Sequence, residues 1–142
     1  NLKTFGRSGG SSAVSAAAYR SGERIRDERT GRTYDHTDRQ DVLHKEVLVP
    51  SRFADSQMSW AKDRANLWNA AESAESRKNA RVAREYLVAL PVELNAEQRV
   101  QLARGFSQAI SLPLILQCMS RVGIRVAIRV TSTHIYWRRP GK

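Results

Sequence analysis

Tyr19 closes the stretch "SSAVSAAAY", in which no earlier side chain is larger than that of Val14. A phenol can attack a phosphodiester. Its ordinary pKa near ~10 makes it a weak nucleophile until it is activated, and the attacked phosphate needs a metal or cations to offset its charge. Arg20 and Arg24 follow Tyr19 closely enough to hold phosphates, and small neighbours would let a nucleic-acid backbone approach. The competing reading is that Tyr19 packs a small-residue helix against a sheet, as most aromatics on amphipathic helices do. Glu85, in "REYLVALP", is a carboxylate on a predicted strand; as a plain strand position it faces solvent, with Arg84 on the opposite face. The basic residues of "SRKNARVAR" read as a solvated helix end or as phosphate contacts. His36, His44 and His134 are far apart and lack metal-ligand spacing, so no metal site is assigned to them.

The chain has 142 residues, 41% of them hydrophobic, which fits one domain with a modest core. No segment approaches the roughly 20 apolar residues of a membrane span, and no signal peptide is visible, so a cytoplasmic protein is expected. The chain lacks an initiator Met and is expected to be a fragment. The single Cys118 excludes an internal disulfide and a cysteine-rich metal site. A formal net charge of +10 favours a polyanionic partner, with nucleic acid the first choice.

Several elements must position these residues. Ser11 or Ser12 can cap a helix over Ala13–Arg20 that Ser21-Gly22 ends. "RIRDERTGRTYDH" reads as a polar hairpin about Thr30-Gly31, and "VLHKEVLVP" as a strand. A long amphipathic helix is expected from Gln57 to about Arg77. Met58, Ala61, Ala65, Trp68 and Glu72 lie on one stripe, flanked by Leu67, Ala71 and Ala74. Trp60 and Trp68 read as core rather than as stacking platforms for bases. "VAREYLVALP" is a strand. Asn95 and Gln98 then form a variant capping box for a helix burying Leu102, Ala103, Phe106, Ala109 and Ile110. "LILQCM", "IRVAIRV" and "HIYW" are β-capable. The alternation predicts an α+β fold, a sheet covered by helices.

Two blocks carry a family resemblance. "KTFGRSGGSSAVSAAAYRSGERIRDERTG" and "LWNAAESAESRKNARVAREYLVALPVELNAEQR" resemble the first and second motifs of MobA/MobL-type relaxases, including the nuclease domain of TraA proteins. The resemblance covers residues 1–111, read as the relaxase domain. It implies an antiparallel sheet with packed helices of the HUH relaxase type, incomplete here at both ends. It implies a plasmid mobilisation enzyme that nicks single-stranded DNA at a transfer origin. A tyrosine becomes covalently joined to the 5′ phosphate, and a divalent metal (Mg²⁺ or Mn²⁺) held by three histidines polarises the scissile phosphate. Accessory mobilisation proteins are implied partners, and no membrane is. By motif position Tyr19 matches the nucleophile, and Glu85 matches an acidic residue with a role in proton transfer or metal orientation. A second acidic position two residues on is Leu87 here. Lys3, Arg7, Ser8, Arg20, Arg24, Arg81 and Arg84 are expected to contact DNA.

The third family motif, a strand ending in His and then a His-x-His strand, is not present. Residues 112–142 contain one histidine, His134, together with six basic residues and no acidic one, although the whole chain has fourteen acidic residues. So sharp a shift marks a boundary, and the segment reads as an aberrant, frame-shifted continuation of the same domain. Displaced by one base, permitted codons for Leu112–Leu116 can yield Ala-Val-Asp, and those for Leu116–Arg121 can yield Ala-Met-His-Glu-Pro. Those for Ser132–Lys142 can yield His-Ala-His-Ile-Leu-Ala-Thr-Thr-Arg-Gln. Both halves of the missing motif return in order. The chain as written therefore has its nucleophile without its metal ligands. Whether it is an enzyme is left open, and a non-catalytic basic DNA-binding remnant is the alternative. A basic structural or RNA-binding domain would require both motif matches to be accidental.

Overall fold

A computed structural model of the chain describes the backbone of residues 2–6, 10, 12–48, 56–75, 77–79, 81–109, 114–120 and 123–129. The elements are β1 (Leu2–Gly6), α1 (Ala13–Ser21), β2 (Arg24–Arg26), β3 (Thr33–Asp35), β4 (Val42–Leu48), a 3-10 helix (Ser56–Lys62), α2 (Arg64–Ala74), β5 (Arg81–Val88), α3 (Ala96–Ala109), β6 (Leu114–Ser120) and β7 (Gly123–Arg129). One sheet has the order β1-β5-β7-β6-β4 with every neighbouring pair antiparallel. β2 and β3 form a separate hairpin about Thr30-Gly31. The α+β antiparallel class expected from the sequence is the one found. "LILQCM" and "IRVAIRV" supply the interior strands β6 and β7, while "HIYW" lies outside the described residues.

α1 begins and ends where its side chains dictate. The Ser12 hydroxyl accepts the Ser15 N–H at 3.3 Å from an extended backbone, and Gly22 ends the helix at φ +61° and returns its N–H to the Ala18 carbonyl. Ala13, Val14, Ala17 and Ala18 are buried to 2% exposure or less, in a core shared with Ile25, Trp68, Ala71, Val82 and Ala83. The small side chains therefore bring α1 close to α2 and β5. Ser15 and Ala16 on the same helix are only half-buried.

The long helix expected from Gln57 to Arg77 is two. Asp63 stands between them at φ −76° and ψ 122°, and its carboxylate accepts the Asn66 N–H at 2.8 Å. An N-cap needs this extended backbone, so the helix restarts there. Ala61, Leu67, Trp68, Ala71 and Glu72 are buried as expected of the stripe, Trp60 is half-buried, and Ala74 is exposed. On α3 the reciprocal box forms: Gln98 N–H donates to the Asn95 side chain at 2.9 Å, and Asn95 N–H to the Gln98 side chain at 3.0 Å. The buried face differs from expectation. Ala103 and Ser107 are buried, Phe106 is half-buried, Leu102 and Ala109 are exposed, and Ile110 lies outside the described residues. Arg104 donates two 2.8 Å bonds to Glu46 on β4, which sets the roll of α3 against the sheet.

Candidate functional site

The site is built around the two ends of α1. At its N-terminus the Ala13 N–H donates to a Glu72 carboxylate oxygen at 2.6 Å, and the Ser12 hydroxyl donates to Asp27 at 2.7 Å. Asp27 also accepts the N–H groups of Arg29 and Thr30 at 3.0 and 3.1 Å. Both carboxylates are buried, and Arg29 lies 3.5 Å from Glu72. Negative charge here meets the positive end of the helix dipole and orphan N–H groups.

At the C-terminus the signs reverse. The Arg39 guanidinium donates to the Tyr19 carbonyl, and Lys45 Nζ donates to the Ser21 carbonyl at 3.0 Å. The same Arg39 guanidinium lies over the Tyr19 ring, 4.2 Å from its centroid, and His36 meets that ring edge-on with centroids 5.2 Å apart. Hydrogen bonds from the Thr37 hydroxyl and N–H hold the Asp35 carboxyl below its ordinary value and fix the loop that carries His36. Tyr19 itself is 43% exposed. Among the described residues its hydroxyl makes no hydrogen bond. The ring therefore packs against Arg39 and His36 on the last turn of α1 while part of it faces solvent.

Arg20 and Glu85 correct the sequence reading. Glu85 is buried rather than solvent-facing, because both its oxygens are bound by the Arg20 guanidinium, one of them at 2.7 Å. Arg20, expected to meet DNA, is buried and also donates to the Ala16 carbonyl at 3.3 Å. The pair ties α1 to β5 and places a second cation 6.0 Å from the centre of the Tyr19 ring. Lys3 stands opposite Glu85 in the β1–β5 register, and Arg84 stands opposite Thr4. Arg81 is exposed on β5, and Arg24 is largely exposed, 3.8 Å from Asp35. Arg7 and Ser8 lie outside the described residues. The structure thus gathers Tyr19, Arg20 and Glu85, with Lys3 in register, but leaves Arg24 and Arg81 on the surface. It adds His36 and Arg39, which sequence reading missed. Their segment "DHTDRQD" carries one usable signal, a cation two residues before Asp41, the carboxylate that Arg39 binds.

The three-histidine metal site of the family resemblance does not fit these residues. His36 faces the Tyr19 ring, and His44 lies 3.6 Å from Glu46 on an edge strand. His134 lies outside the described residues, among which no three His, Cys, Asp or Glu side chains are grouped to hold an ion. Among the described residues no helix is long and apolar enough to cross a membrane.

Comparison with known proteins identifies the family. Mobilization protein MobL of Acidithiobacillus ferridurans is 43% identical over 111 residues, 78% of this chain and 28% of that protein. Conjugal transfer protein TraA of Rhizobium radiobacter is 40% identical over 108 residues, 70% of this chain and 10% of that protein. The chain therefore spans well under half the length of the curated relatives it matches. A solved structure described as "Molecular Basis of Vancomycin Resistance Transfer in Staphylococcus aureus" superposes with a TM-score of 0.79 at 28% identity, over 92% of this chain and 68% of that one. The family model of MobA/MobL matches residues 11–112. By that match the chain belongs to the MobA/MobL family.

Proposed function

We propose that this chain is the catalytic half-site of a plasmid-mobilisation relaxase, with Tyr19 as nucleophile toward single-stranded DNA at a transfer origin. One observation carries the reading: the tyrosine of the family motif stands exposed on the anchored last turn of α1. In the proposed step the phenol gives up its proton as its oxygen bonds to phosphorus, and the P–O3′ bond breaks. The leaving 3′ oxygen takes up a proton, and the 5′ phosphate stays on Tyr19. Arg39 and Arg20 flank the ring, each also paired with a carboxylate, Asp41 and Glu85. Glu85 acts through Arg20 as a positioning group, since its oxygens are engaged.

The chain as written lacks the family's histidine set, and this favours a second reading, a basic DNA-binding remnant without nicking activity. We assign residues 1–111 to the relaxase domain and 112–142 to a continuation read one base out of frame. The nucleotide sequence across codons 105–142 tests that assignment: a displaced frame without His…His-x-His overturns it. For function, the chain and a frame-restored version are incubated with single-stranded transfer-origin DNA and Mg²⁺ or Mn²⁺. The expected outcome is salt-sensitive binding by both. A denaturant-resistant protein–DNA adduct is expected from the restored chain alone, and Tyr19→Phe should abolish it. An adduct that survives Tyr19→Phe overturns the assignment of the nucleophile.

A further inference from the structure

The Tyr19 phenol has to be oriented without a hydrogen bond to its oxygen. Among the described residues that oxygen has no hydrogen-bond partner, and the residue is 43% exposed. An exposed side chain of this kind exchanges between staggered rotamers in picoseconds to nanoseconds. Attack needs the oxygen in one place, and a displacement of about 1 Å can lose about a hundredfold in rate. Contacts to the ring must supply that order. Among the described residues they come from Arg20, 6.0 Å from the ring centre, from His36 at 5.2 Å and from Arg39 at 4.2 Å.

Arg39 makes the nearest of these contacts, and its plane is fixed. Its Nε–H donates to Asp41 Oδ1 at 2.8 Å and one terminal nitrogen donates to Asp41 Oδ2, while the other terminal nitrogen donates to the Tyr19 carbonyl. These bonds lie at the edge of the guanidinium and leave its face for the ring, where cation–π attraction adds to the contact. The backbone beneath is fixed as well. The Arg39 N–H donates to the His36 carbonyl at 3.2 Å, and the His36 N–H to the Glu23 carbonyl at 3.3 Å. The Arg39 Cβ packs 3.5 Å from where a side chain on Gly22 would begin. One residue therefore binds the backbone of Tyr19 and covers its ring, from a segment strapped to the residues just past the helix.

Charge is not what Arg39 contributes. Cations at this end of α1 come paired: Arg20 with Glu85, Arg39 with Asp41, and both Lys45 and Arg64 with Glu23. Burial would push the Glu23 carboxyl up, but the hydrogen bonds and charges of Arg64 and Lys45 outweigh it and hold the group below its ordinary value. A guanidinium whose fork is taken by a carboxylate is badly placed to grip a phosphate. What remains to it is orientation.

We propose that Arg39 is the positioning residue for the Tyr19 phenol: its plane, locked by Asp41 and the Tyr19 carbonyl, holds the ring in one rotamer. The proposal rests on the reading of Tyr19 as nucleophile and assigns Arg39 no contact with DNA.

The test reads the Tyr19 side chain by NMR in the chain as it stands. In the parent, the Hα–Hβ couplings of Tyr19 are expected to report a single staggered rotamer. Arg39→Ala should average them. Arg39→Lys keeps the charge and a donor for the Tyr19 carbonyl but has no plane, and it should average them too. Asp41→Asn loosens the plane without removing it and should give an intermediate result. Amide shifts of α3 check that each variant is folded; should Arg39→Ala unfold the chain, the other two variants carry the test. In the frame-restored chain, Arg39→Lys should slow adduct formation by about tenfold to a hundredfold, with DNA affinity and its salt slope unchanged. Averaged couplings in the parent, or a single rotamer kept in Arg39→Lys, overturn the proposal and leave the nucleophile reading standing. Adduct formation by Arg39→Lys at the parent rate also overturns it, because charge alone would then suffice. An adduct that survives Tyr19→Phe instead removes the nucleophile, and the proposal falls with it.

Discussion

The N-terminal end of α1 is held by two carboxylates buried away from water, Asp27 and Glu72, while its C-terminal end is held by cations on the half-exposed segment from Arg39 to Lys45. The helix dipole accounts for the signs at both ends. It does not account for the difference in burial. The dry end fixes where the helix lies. The wet end sets Tyr19 against Arg39 and His36 and leaves it 43% exposed. Arg20–Glu85 joins the two functions, because it is buried like the first end and adjacent to Tyr19 like the second.

The largest break comes from that joining pair. Glu85→Ala leaves the Arg20 guanidinium buried without its partner and is expected to cost about 3–5 kcal/mol in urea denaturation, with Glu85→Gln milder. Next is the dry end. Glu72→Ala strands the Ala13 N–H and should cost about 1–3 kcal/mol by the same measurement. Gly22→Ala probes the wet end. The added Cβ would find ordinary contacts at 3.4–3.5 Å. The left-handed backbone alone should then cost about 1–2 kcal/mol. A Gly22 variant costlier than Glu72→Ala would reverse the comparison. The smallest effect is acid sensitivity. The Glu23 pKa is depressed from 4.5. Its contribution is therefore present above the unfolded value and lost as pH falls through the lower folded one. Thermal melts below about pH 4.5 should fall more for the parent chain than for Glu23→Gln.

What was legible in the sequence was local. Ser12, Gly22 and the Asn95–Gln98 box are side chains that bond backbone a few residues away, and each marked its helix end correctly. The site depends on partners far along the chain. Ala13 meets Glu72 across 59 residues and Arg20 meets Glu85 across 65, and no periodicity encodes either. Two signals were available all the same. Glu72 falls on the apolar stripe of its helix, and a charge there implies a buried partner. Val14, Ala17, Ala18 and Ser21 follow the spacing of one helical face, which leaves Tyr19 off the packed side. The break at Asp63 was hidden because Met58, Ala61, Ala65 and Trp68 carry one stripe across it, and only the cap's extended backbone shows the interruption.

The strand order has a consequence for synthesis. Among the described residues β4 pairs only with β6, and β5 reaches β4 only through β7 and β6. As the chain leaves the ribosome, β4 therefore waits with unpaired backbone until residues 114–120 emerge, some seventy positions later. During that interval it is an open template for pairing with another nascent chain. Whatever sequence follows residue 112 must close that gap before the protein escapes aggregation, and two strands able to pair on both edges meet the need whatever other chemistry they carry.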